Sequence, residues 1–140
     1  MCPSRSCMFP LLVAATSYCA QQRPVGNHIS PPYTPAESGK KMFNAYCASC
    51  HGVKGTGNGP AAALLKTRPT DLTQLAKRNS GVFPSAWVAR VIKKGTTPAH
   101  GSSEMPVLEP GLNRVSGHDE GGMLLRIHNL VSHIGTMQRN

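Results

Sequence analysis

Two cysteines and a histidine stand together at Cys47-Ala48-Ser49-Cys50-His51. Three kinds of chemistry could use such a set. A bare thiol pair at this spacing can form a redox-active disulfide, but that chemistry belongs in a strand–helix–strand setting, which the chain does not show. The pair could be half of a zinc site, yet no second cysteine pair at similar spacing follows it. The third is covalent attachment of a c-type haem, whose signature is C-x-x-C-H. There, two thiols close thioether bonds to the vinyl groups along one porphyrin edge, and the next residue puts an imidazole nitrogen on the iron. On a helical turn Cys47 and Cys50 are i,i+3 and Cys47 and His51 are i,i+4, so all three side chains lean to one side.

The other cysteines favour the haem. The chain has 140 residues and five cysteines, and Cys2, Cys7 and Cys19 all fall in the first 20. Residues 1–22 read as an export signal: Arg5 supplies the positive charge, and the apolar run from Met8 to Ala15 is too short to span a bilayer. Its removal leaves both thiols in one motif, with no disulfide framework to build. The expected location is the periplasm or another extracytoplasmic space. A lipid anchor on Cys19 is the alternative, opposed by the bulky Tyr18 where a small residue should precede cleavage. Residues 23–33, rich in Pro, Gly, Asn and Ser, read as a linker, and 34–140 as the one domain.

Charge excludes one class of partner. The 15 Lys and Arg outnumber the 6 Asp and Glu, giving a net charge of +9. The excess is spread thinly, densest at Lys40-Lys41, Lys77-Arg78 and Lys93-Lys94, without any finger, aromatic run or basic helix that would read nucleic acid. Lys54 beside the attachment site, with Lys93 and Lys94, suits instead the steering of an acidic redox protein. A membrane enters only through the lipid anchor or a membrane-bound redox complex. Aromatics are 5% of the chain, so the side-chain core is modest, and a buried haem would supply missing apolar surface.

The elements that must position the motif follow from periodicity. Thr34-Pro35-Ala36-Glu37 has the pattern of a capping box with Pro at the first helical position. Gly39, Met42, Phe43 and Tyr46 then share one side of a helix delivering Cys47. Residues 51–60, with four Gly and a Pro, form a loop whose glycines would let backbone lie against a flat cofactor. They do not cradle phosphate, having neither a preceding strand nor the G-x-G-x-x-G spacing. Ala61 to Lys66 is a short helix, and Thr70-Asp71 caps another through about Arg78. Pro84, Trp87, Val88, Val91 and Ile92 predict an amphipathic helix stopped by Gly95. Residues 95–116 read as a long connection containing His100 and Met105-Pro106-Val107. A last helix begins near Ser116 to Asp119, with Met123, Leu124, Ile127, Leu130, Val131, Ile134 and Met137 as its apolar stripe. His118, His128 and His133 read as ordinary surface or core histidines.

With these residues in order, the chain resembles class I cytochrome c, in particular small exported bacterial domains. The resemblance covers about residues 35–137. It is carried by Gly39 and Phe43 entering Cys47-Ala48-Ser49-Cys50-His51-Gly52, by Gly59-Pro60, by Pro69-Thr70-Asp71-Leu72-Thr73, by Met105-Pro106-Val107 and by Leu125 to Leu130. It implies an all-α fold whose first and last helices cross, at Gly39 and Phe43, around one covalently bound haem c. It implies thioethers at Cys47 and Cys50, iron held by His51 and Met105, and the Pro60 carbonyl orienting His51. Two positions depart from the pattern: His133 where an aromatic is usual, and Leu108-Glu109 where Trp-Gly is common. The activity implied is electron carriage, with no catalytic residues and redox proteins as partners. A five-coordinate haem enzyme or sensor, peroxidase-like or gas-binding, would instead need Met105 displaced and His100 over an open distal face.

Overall fold

The computed structural model describes residues 34–95 and 105–139. The expected export signal, the alternative of a lipid anchor at Cys19, the expected linker and His100 lie outside the described residues. Those described form helices and turns with no strand, in the order α1 Gly39–Tyr46, α2 Ala48–His51, a 3-10 turn Ala62–Leu64, a second Leu72–Gln74 continuing as α3 Leu75–Arg78, α4 Ser85–Lys94, α5 Glu109–Val115 and α6 Glu120–Thr136. The expected all-α architecture is the one observed. None of these helices is long and apolar enough to cross a membrane.

The first helix starts later than the capping-box pattern predicts. Ser38, not Thr34, is its N-cap, with the Ser38 hydroxyl accepting from the Lys41 N–H at 3.2 Å. Thr34 is used elsewhere. Its hydroxyl bonds that of Tyr46, and its carbonyl accepts from Arg126 of α6. Tertiary bonds thus outcompete the local cap, and residues 34–37 become a strap across the helix pair.

The centre of the fold is the crossing of α1 and α6. A Cβ placed on Gly39 would overlap the Asn129 carbonyl and lie 3.0 Å from the His133 Cβ, so only glycine lets the two backbones come this close. Asn129 reinforces the approach by donating from Nδ2 to the Ala36 carbonyl at 2.9 Å. Beside it, Met42, Phe43, Leu112 and Leu130 are fully buried, each contributing about 1.5–3 kcal/mol by leaving water. His133 fills the place of the usual aromatic: its ring meets that of Phe43 edge-on, centroids 5.5 Å apart at 65°.

Two further differences from the sequence reading have clear causes. Residues 109–115 form α5 where only a connection was expected. Pro110 sits in the first turn, where a missing N–H costs nothing, and the helix is held by the fully buried Leu112 and by a Lys93–Glu109 ion pair of 3.4 Å. α6 begins at Glu120, at the late end of the expected start, and Asp119 is its N-cap, accepting from the Gly122 N–H at 2.6 Å. Yet its buried face also includes a cation, Arg126 at 4% exposure. Arg126 donates to the Ser116 hydroxyl and to the Thr34 and Val115 carbonyls, so its desolvated N–H groups have acceptors.

Candidate haem-attachment site

Cys47, Cys50 and His51 share one helical turn. α1 ends at Tyr46; Cys47 caps it by donating to the Phe43 carbonyl, and its own carbonyl accepts from the N–H groups of Cys50 at 3.2 Å and His51 at 2.8 Å. The i,i+3 and i,i+4 relation inferred from spacing is therefore real. Both thiols are free and half-buried.

The glycine loop closes this turn completely. A four-residue helix leaves all its carbonyls without helical partners. Here Ala48 accepts from the N–H of Gly52, Ser49 from Ala61, Cys50 from Gly59 and His51 from Gly57, at 2.8–3.0 Å. Gly52, Gly55 and Gly57 have φ of 75°, 72° and 76°, which side-chain-bearing residues rarely adopt. A Cβ on Gly59 would strike the Ser49 and Ala48 carbonyls. Of the loop glycines, Gly59 thus lies directly against the backbone of α2, while Gly57 lies against that of Pro69.

That closure also explains a correction. The imidazole of His51 donates from Nδ1 to the carbonyl of Thr70, at 3.0 Å, not to that of Pro60. Pro60 is exposed, between residues whose N–H groups are committed to α2, whereas segment 69–72 returns directly against the loop. The Leu72 N–H donates to the Gly55 carbonyl at 2.7 Å, and a Cβ on Gly57 would meet the Pro69 carbonyl.

The electrostatics suit a metal-binding imidazole. Burial lowers the basicity of His51 below its ordinary value, while the bond to Thr70 pulls the other way. The ring is kept neutral, and with its proton on Nδ1 the lone pair is on Nε2, free for a metal. Burial, with Cys50 adjacent, pushes the Cys47 thiol up to about 12, so it remains a thiol instead of an uncompensated buried anion. Two free thiols and a neutral, oriented imidazole on one turn are the donor set a c-type haem requires. Among the described residues no group of three or more His, Cys, Asp or Glu is placed to hold a metal ion by itself.

Met105 opens the second described stretch. It is half-buried, and its carbonyl lies 3.8 Å from a Cβ placed on Gly95. Val107 packs at 3.1 Å from the same position, and the Leu108 N–H donates to the Ile92 carbonyl at 3.4 Å. The Met105 segment is thus tied to the carboxyl end of α4. Sequence reading missed the Thr70 carbonyl as the partner of His51 and the buried Arg126. Only the first left a signal, the Asp71–Thr73 cap that fixes Thr70's neighbour.

A helical domain with one C-x-x-C-H turn, its histidine oriented through Nδ1, defines a c-type cytochrome. Residues 36–114, more than half of the chain, match the family described as Cytochrome c, and the chain belongs to that family. Among curated proteins no match is found. As a c-type cytochrome it is a haem-binding electron-transfer protein whose cofactor is haem c with its iron. α6 lies beyond the matched residues.

Proposed function

We propose that this is a class I cytochrome of the small exported bacterial type, an electron carrier with a single haem held by Cys47 and Cys50, and with His51 and Met105 as axial ligands. The observation that carries the reading is the His51 ring, oriented through Thr70 beside two free thiols on one turn. When bound, the haem iron supplies the chemistry, cycling between ferrous and ferric. Every other task falls to the chain. Cys47 and Cys50 fix the porphyrin edge, and His51 supplies a neutral nitrogen whose donor strength the Thr70 carbonyl raises. Met105 would supply the thioether that raises the potential, on a segment stiffened by Pro106. With His51 and Met105 both bound to it, the iron would leave no position open to a substrate, and the protein would carry electrons without catalysing a reaction.

The partner is a redox protein with an acidic docking face. Lys54 is exposed next to the attachment turn, and Lys66 and Arg68 border an open groove of about 510 Å³ beside Gly57 and Gly59. Lys93 contributes less than its sequence position suggests, because Glu109 partly neutralises it. The carrier works outside the cytoplasm after export, free or at a membrane-bound complex.

Near-infrared absorption of the ferric protein tests the ligand set. The weak band of a thioether–iron bond is expected in the parent and absent from Met105→Ala, whose potential falls. A parent lacking the band, with an added ligand such as cyanide binding at once, would point to an open distal site instead.

A further inference from the structure

The carboxyl end of α6 reaches the segment that orients His51. Gln138 accepts at Oε1 from the Ala76 N–H at 2.8 Å, and donates from Nε2 to the Leu72 carbonyl at 2.8 Å and the Ile134 carbonyl at 2.9 Å. Next to it, the Arg139 N–H donates to the Thr73 carbonyl at 2.9 Å. Three of these bonds thus fasten residues 72–76 to the end of α6, beginning two residues after the carbonyl that accepts from His51, and the fourth ties Gln138 back to α6 itself. Asp71 stiffens the joint by accepting from the Thr73 N–H at 2.9 Å and hydroxyl at 2.7 Å, around a Thr73 that is 1% exposed.

We infer that Gln138 is a positioning residue for the axial histidine: through Leu72 and Ala76 it holds the Thr70 carbonyl on Nδ1 of His51. No other side chain described spans α6 and segment 72–76 with bonds to both, and its amide uses both donors and the acceptor. An apolar residue of similar size would pack there, but would leave the Leu72 carbonyl and Ala76 N–H to find other partners. The Thr70 carbonyl would then wander, and the ligand with it.

The inference rests on His51 ligating the iron, and one experiment separates the two. Proton NMR of the ferrous haem-loaded protein reads the His51 ring signals, which the porphyrin ring current displaces if His51 is bound. It also reads the exchange of the Nδ1 proton with solvent. Gln138→Leu should leave the signals displaced and speed that exchange about two- to tenfold, the loss of one hydrogen bond's protection. Gln138→Glu, nearly isosteric, keeps an acceptor for Ala76 but no donor, and should shift exchange the same way. Asp119→Ala, which removes the cap at the far end of α6, should lower stability without altering exchange at His51. Displaced signals with exchange unchanged in both Gln138 variants would overturn the positioning role alone. So would Asp119→Ala speeding exchange equally, since the effect would then be general loosening. Signals not displaced in the parent would overturn both the ligation and the inference.

Discussion

Gly39→Ala adds one methyl group at the crossing of α1 and α6, and the structure fixes its sign. In an open helix, replacing Gly by Ala stabilises by about 0.5–1 kcal/mol through reduced backbone entropy, and less at a first helical residue. Here the new carbon meets the Asn129 carbonyl carbon at 2.8 Å and the His133 Cβ at 3.0 Å. Most of the obstruction is backbone inside α6, which cannot rotate away as a side chain could. Overpacking of this kind costs about 1–3 kcal/mol, because relief requires the helices to part over Met42 and Phe43. The penalty exceeds the gain, for a net loss of about 1–2 kcal/mol. Thermal unfolding of the haem-loaded protein should show Tm lower by about 5–15 °C for a domain of this size. Gly121→Ala is the internal control: its Cβ would meet only the Asp119 carboxylate oxygens, at 3.6 and 3.7 Å, an ordinary contact, so Tm should hold or rise. If Gly39→Ala is as stable as the parent, the close crossing described here is wrong.

Two further expectations concern charge. Burial, with Lys40 adjacent, lowers the basicity of His133 below its ordinary 6.5. A group whose folded form resists protonation contributes stability that is full above its unfolded value and is lost as pH falls through the folded one. His133→Phe keeps the edge contact with Phe43 and cannot be protonated, so its stability advantage over the parent should widen as pH falls below about 6.5; an advantage independent of pH would refute this. Lys54→Glu should slow electron transfer to an acidic redox partner at low salt and narrow the gap to the parent as salt screens the charge. Rates indifferent to both charge and salt would remove the steering role.

Much of the site was legible because it is local. Attachment needs three side chains on one turn, and their spacing states that directly. The α4 stripe and the glycine loop are likewise set by neighbours within a few residues. What the sequence concealed depends on distant partners. Thr34-Pro35-Ala36-Glu37 has the letters of a cap, but Thr34 is claimed by Tyr46 and Arg126 from across the fold. Glu109-Pro110-Gly111 has the letters of a break, yet Leu112 and Lys93 draw it into a helix. The acceptor for His51 is a backbone carbonyl, which has no sequence identity, and only the return of segment 69–72 selects Thr70 over Pro60.

The central claim is that Cys47 and Cys50 carry one haem covalently. Mass spectrometry of the exported protein after acid–acetone treatment tests it most directly. The account predicts the mass of the processed chain plus a single haem, retained through extraction, with Cys47→Ala and Cys50→Ala each left with at most one thioether. A parent that gives up its haem to the solvent, leaving the bare chain with both thiols open to alkylation, would contradict it.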